Sequence, residues 1–108
     1  MSEYPIPAVA DIRLTEVLKA LADPGRVRVV SVLADGERHS CSPAEFGLDL
    51  QKSTFSHHLR TLREAGVTET TVEGRNHYVR LRAADLDARF PGLLPAVTSP
   101  QAIADLEA

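Results

Sequence analysis

Four histidines, one cysteine and a hydroxyl-rich basic run are the side chains of this 108-residue chain with the most chemical potential. His39 and Cys41 stand one residue apart, an imidazole and a thiol that together offer two ligands to a transition metal or a redox-sensing thiol with a neighbouring base. A lone cysteine there serves equally as a small, half-buried apolar residue. His57 and His58 are adjacent, and on a helix neighbouring side chains point about 100° apart, so the pair does not share one ion easily. They suit contact with nucleic acid or phosphate better. Catalysis needs a nucleophile, a base and an orienting group around a dry pocket. The chain has no glycine-rich phosphate loop and no metal-ligand spacing, and its histidines cluster in one polar stretch, so the expectation is that it is not an enzyme.

The most informative stretch is Gln51-Lys52-Ser53-Thr54-Phe55-Ser56-His57-His58-Leu59-Arg60-Thr61-Leu62-Arg63. A helix that enters the major groove needs short polar side chains on its first turns to reach base edges. It also needs flanking bases for phosphates and an apolar rear face to anchor it. Ser53, Thr54, Ser56 and His57 occupy the base-facing turns, Lys52, Arg60 and Arg63 are placed for phosphates, and Gln51 and His58 complete the polar set. Phe55, Leu59 and Leu62 recur at the spacing of a rear face.

Charge is distributed to match. The chain carries a net −3, which taken whole disfavours a polyanionic partner. Yet residues 51–82 hold six bases (Lys52, Arg60, Arg63, Arg75, Arg80, Arg82) against three acids (Glu64, Glu69, Glu73), while the flanking segments are acidic. The positive charge sits in one block, where a DNA surface has to be.

The elements around this block follow from period and punctuation. Leu14, Val17, Leu18 and Leu21 mark an amphipathic helix. Asp23-Pro24 reads as an N-cap with proline at the first helical position. It opens a valine-rich run, 27–33, whose partial alternation also fits a strand; the Asp-Pro start and the Asp35-Gly36 stop favour helix. A polar loop, 37–42, leads to a short helix at 43–46 and then to the basic helix, which stops at Gly66. Residues 68–82 switch to strand-like character around Glu73-Gly74-Arg75-Asn76, a β-hairpin with Arg75 at its tip for the minor groove or backbone and Tyr78 packed beneath. Helix returns at 83–90, broken by Pro91-Gly92. The predicted fold is mainly α with a β-hairpin wing, a winged helix-turn-helix. The predicted organisation is a loose arm at 1–11, one winged domain at 12–97 and a tail or short helix at 98–108.

Three stretches carry a family resemblance: Leu21-Ala22-Asp23-Pro24-Gly25-Arg26; Ser53 through Val67, with its Ser-His-His-Leu and Leu-Arg-Glu-Ala-Gly strings; and Glu73-Gly74-Arg75-Asn76-His77-Tyr78. Together they resemble the ArsR/SmtB family of bacterial regulators, over roughly residues 12–97. The resemblance implies a homodimeric repressor on a double-stranded, inverted-repeat operator. The helix at 52–65 is then the reading helix, 73–77 the wing tip, and the first and last helices the dimer interface. Leu14, Val17, Leu18, Leu21, Leu86, Phe90, Leu93 and Leu94 are the candidate interface residues, more apolar surface than so small a domain is expected to bury alone. Many members sense metals through two or three cysteines before the reading helix; the matching stretch here, Arg38-His39-Ser40-Cys41-Ser42, has one. Others use Asp/His pairs on the last helix, and no histidine follows His77. His39 and Cys41 are thus the weak metal candidates, any transition metal an effector rather than a folding cofactor.

No run of 18 apolar residues spans a bilayer, and Met1 to Pro7 lacks the pattern of a secretory signal. With a single cysteine, the expected setting is the cytoplasm. A second reading keeps the fold and replaces DNA by protein: a module pairing with another regulator through its acidic ends, with weak or no DNA binding of its own.

Overall fold

A computed structural model describes residues 4–106. After a 3-10 turn at Val9–Asp11, the chain forms α1 (Leu14–Ala20), α2 (Pro24–Leu33), β1 (His39–Ser40), a second 3-10 turn (Pro43–Phe46) and α3 (Lys52–Ala65). Strands β2 (Thr68–Glu73) and β3 (Asn76–Leu81) follow, then α4 (Ala83–Arg89), α5 (Leu93–Val97) and α6 (Pro100–Asp105). The fold is mainly helical with a three-stranded antiparallel sheet in the order β1-β3-β2. No helix among the described residues is long and apolar enough to cross a membrane.

Capping decides the ambiguous valine run in favour of helix. Asp23 accepts a hydrogen bond from the Arg26 N–H at 3.1 Å and Pro24 occupies the first turn, so α2 is nucleated before the valines begin. Val29, Val30 and Leu33 then fall on its buried face. Helix α3 ends where Gly66 takes a left-handed φ of 90°, its N–H bonded to the Arg63 carbonyl and the Val67 N–H to that of Leu62. Gly66 is required twice over, because a Cβ there would stand 2.7 Å from the Ile12 side chain.

The sheet departs from the expected two-stranded wing. His39 and Ser40 pair with Val79 and Tyr78, and the Cys41 N–H reaches the His77 carbonyl at 3.0 Å, so part of the stretch read as loop is a strand. Two residues are too few to show a period of two. In the hairpin, Thr68 opposite Leu81 and Thr70 opposite Val79 face inward, while Glu69 opposes Arg80 on the other face.

The core gathers side chains from every layer, among them Val17, Val30, Phe55, Leu62, Val79 and Leu86. This divides the expected interface residues. Val17, Leu21, Leu86 and Leu94 are buried within the protomer, so the premise of excess apolar surface fails for these four. Phe90 and Leu93 are partly buried against the core edge. Leu14 and Leu18 remain 44% and 47% exposed. The last helices close over the body, α6 lying beside α2 and α5.

Gly66→Ala is expected to cost roughly 2–4 kcal/mol, from the left-handed backbone and the collision with Ile12. Gly36→Ala, at φ 81° with open space around it, should cost only the backbone part, about 1–2 kcal/mol. Urea midpoints at unchanged m-value compare the two.

Candidate nucleic-acid interface

Helix α3 is held from behind and open in front. Phe55, Leu59 and Leu62 are buried, whereas Gln51, Lys52, Ser53, Thr54, Ser56, His57 and Arg60 are exposed. Gln51 at the N-cap makes no side-chain cap, which leaves first-turn N–H groups facing outward. Arg60 pairs with Glu64 one turn on at 3.0 Å, both well exposed, a contact weak enough to exchange for a phosphate.

The front of α3 is flanked by two grooves. Between α3 and the wing lies a notch of about 540 Å³, lined by Ser56, Arg60 and Arg63 on one wall and by Arg75, Asn76 and His77 on the other. Between α3 and α1 lies a second hollow, where His57, Thr61 and Glu64 face Arg13, Glu16 and Lys19. The helix is therefore a ridge. Ser56, Arg60 and Arg63 look toward the wing; His57 looks the other way.

Three placements differ from the sequence reading. His58 is not on the open face: its side chain is 13% exposed and sits among Arg26 and Asp23. Arg82, counted in the basic block, is buried, bonded to Asp85 and to the Pro7 carbonyl, and contributes nothing to an outer surface. Tyr4, in a segment read as a loose arm, lines the notch, its hydroxyl 3.1 Å from His77 Nδ1 and the Arg63 guanidinium 4.5 Å from the centre of its ring. A single tyrosine just ahead of Pro5 gives no pattern by which sequence reasoning could have found it. Tyr78 is half-buried, with Arg38 stacked over its ring and Arg38 paired with Glu73.

The two weak metal candidates have other partners. His39 Nδ1 lies 2.7 Å from Glu45 and Nε2 2.9 Å from Asp35, so both ring nitrogens point at carboxylates. Burial opposes charge on this imidazole, but the hydrogen bonds to Glu45 and Asp35 outweigh it and raise its pKa above 6.5. Cys41 lines the notch; burial pushes its thiol up to about 11 against the opposing influence of Arg63. Both imidazole nitrogens are thus engaged by carboxylates, and burial holds the thiol in its protonated form. Among the described residues no group of three or more His, Cys, Asp or Glu side chains is arranged to hold a metal.

A ridge helix with an exposed polar front, preceded by a short turn and followed by a wing, defines a winged helix-turn-helix DNA-binding protein. Residues 21–71 match the helix-turn-helix domain family. The chain is 40% identical over 100 residues to a biofilm growth-associated repressor of Agrobacterium fabrum, covering 90% of this chain and 83% of that protein. It is 31% identical over 88 residues to an arsenical resistance operon repressor of Staphylococcus aureus, covering 82% and 84% respectively. The crystal structure of M. tuberculosis Rv0081 superposes with a TM-score of 0.61 at 27% identity, covering 87% of this chain and 92% of that one. The chain belongs to the ArsR/SmtB family: it is a sequence-specific DNA-binding transcriptional regulator and not an enzyme.

Two outcomes test the chemistry of this region. A raised His39 pKa means that the folded protein holds this proton more tightly than the unfolded chain does. The resulting stability is complete below pH 6.5 and fades as pH rises through the folded value. Urea unfolding across neutral pH should show this loss, and His39→Gln should flatten it. Iodoacetamide should label Cys41 of the folded protein on the order of a hundredfold more slowly than in the unfolded chain, read by intact mass.

Proposed function

We propose that this chain is a homodimeric repressor that occupies an inverted-repeat operator with α3 in the major groove and the wing tip on the adjacent backbone or minor groove. The observation that carries the reading is the notch between α3 and the wing, where Arg60, Arg63 and Arg75 converge beside exposed Ser56. Gln51, Ser53, Thr54, Ser56 and His57 are the readers of base edges, and Lys52, Arg60, Arg63 and Arg75 neutralise phosphates. The net negative charge of the remainder keeps the protein from binding duplex anywhere but on this face.

The dimer that fits this role uses α1 together with the end of the chain. Leu14 and Leu18 are exposed leucines on one helix, with partly buried Phe90 and Leu93 as the C-terminal candidates. Covering the part of each leucine still exposed gains on the order of 1 kcal/mol, a contribution that favours a second copy docking there. Two copies related by a twofold axis set their reading helices about one turn of duplex apart, roughly 34 Å. The relatives' arsenical and biofilm roles belong to those proteins.

Fluorescence anisotropy against the DNA upstream of its own gene, at several salt concentrations, tests the reading. Affinity should fall steeply with salt, and Arg63→Ala or Arg75→Ala should each lower the log–log slope by about one. Ser56→Ala or His57→Ala should instead change the preferred site. Salt-independent binding, or none at any salt, overturns the assignment. Leu18→Glu should convert the dimer to monomer in sedimentation velocity and weaken operator binding at unchanged secondary structure.

A further inference from the structure

The rear face of α3 is apolar, and apolar packing is non-directional; it fixes the depth of a helix better than its rotation about its own axis. Rotation matters here. With side chains reaching about 5–6 Å from the axis, a turn of about 10° moves their tips by about 1 Å. A base-edge hydrogen bond does not survive that easily.

One polar assembly supplies direction. The Arg26 guanidinium donates from Nε to the Ala20 carbonyl at the end of α1 and lies with Nη1 3.1 Å from Nδ1 of His58, in the middle of α3. A guanidinium only donates, so His58 Nδ1 accepts and the ring carries its proton on Nε2. That nitrogen stands 4.0 Å from Oδ2 of Asp23, the oxygen that also caps α2 through the Arg26 N–H. The backbone of α2 runs close alongside: a Cβ on Gly25 would be 3.1 Å from the Asp23 carboxylate and 3.7 Å from the His58 ring. The end of α1, the start of α2 and the middle of α3 are thus joined through a single side chain.

We propose that His58 is a positioning residue rather than a DNA contact: with Arg26 and Asp23 it fixes the rotation of α3 that aims Ser53, Thr54, Ser56 and His57 at the bases. The inference rests on the groove-reading function proposed above. The contrast with His57 is direct. Two adjacent imidazoles have different surroundings, one open toward solvent and one enclosed against the N-terminus of α2.

The test compares a duplex selected from a random pool by the unmodified protein with an unrelated duplex of equal length. His58→Ala should weaken the selected duplex about tenfold while leaving the unrelated duplex, the preferred bases and the salt slope unchanged. His58→Asn, which keeps an acceptor near the place of Nδ1, should restore most of the loss. Arg26→Lys, which keeps the charge but cannot span Ala20 and His58, should reproduce it, and adding His58→Ala to it should cost little more. If His58→Ala does not fold, Arg26→Lys and His58→Asn carry the same expectations. A shift of the salt slope by about one, a changed base preference, additive losses, or a His58→Ala protein that binds as the unmodified one does would each overturn the inference. Failure of the unmodified protein to select any duplex would instead overturn the groove-reading function, and this inference with it.

Discussion

A helix that has to lay its polar front against duplex DNA can be gripped only from behind. Burial of Phe55, Leu59 and Leu62 is the constraint from which the other features follow. It requires that α1 and α2 supply an apolar bed, and that the chain leave the helix abruptly enough for the sheet to rise beside it. Gly66 meets the second demand by turning left-handed where no side chain fits against Ile12. The wing then stands across a narrow gap from the same helix. The arrangement is economical: the core that stabilises the protomer also aims its binding face.

Electrostatics are arranged locally rather than globally. The chain is acidic overall, yet Arg60, Arg63 and Arg75 share one notch. Internal pairing removes other charges from that face, Arg82 with Asp85 beneath the surface and Arg38 with Glu73 beside Tyr78. His39 belongs to this bookkeeping too, held between Asp35 and Glu45 where it ties the end of α2 to the turn ahead of α3.

Much of this was legible in the residues. The rear-face spacing of Phe55, Leu59 and Leu62, the Asp23-Pro24 start and the Gly66 stop are local signals, and local signals survive folding. What escaped was long-range. His58 shares residue type and neighbourhood with His57, and only the approach of α2 separates their roles. Val17 and Leu86 carry the same periodicity as Leu14 and Leu18, and periodicity names a buried face without saying whether the same chain or a second one covers it. Strand β1 is defined by a partner some forty residues away. Arg82 counts as a positive charge in any tally of composition, although its guanidinium is spent inside the fold. Family membership, by contrast, was carried by contiguous strings that the structure did not need to assemble.

The ion pair between Arg60 and Glu64 gives the reading surface a built-in counterion. A phosphate has to displace a carboxylate before it gains that guanidinium, an exchange that costs little because both partners are well exposed. The guanidinium is therefore already laid along the helix, one turn from its carboxylate, rather than loose in water before any other partner arrives.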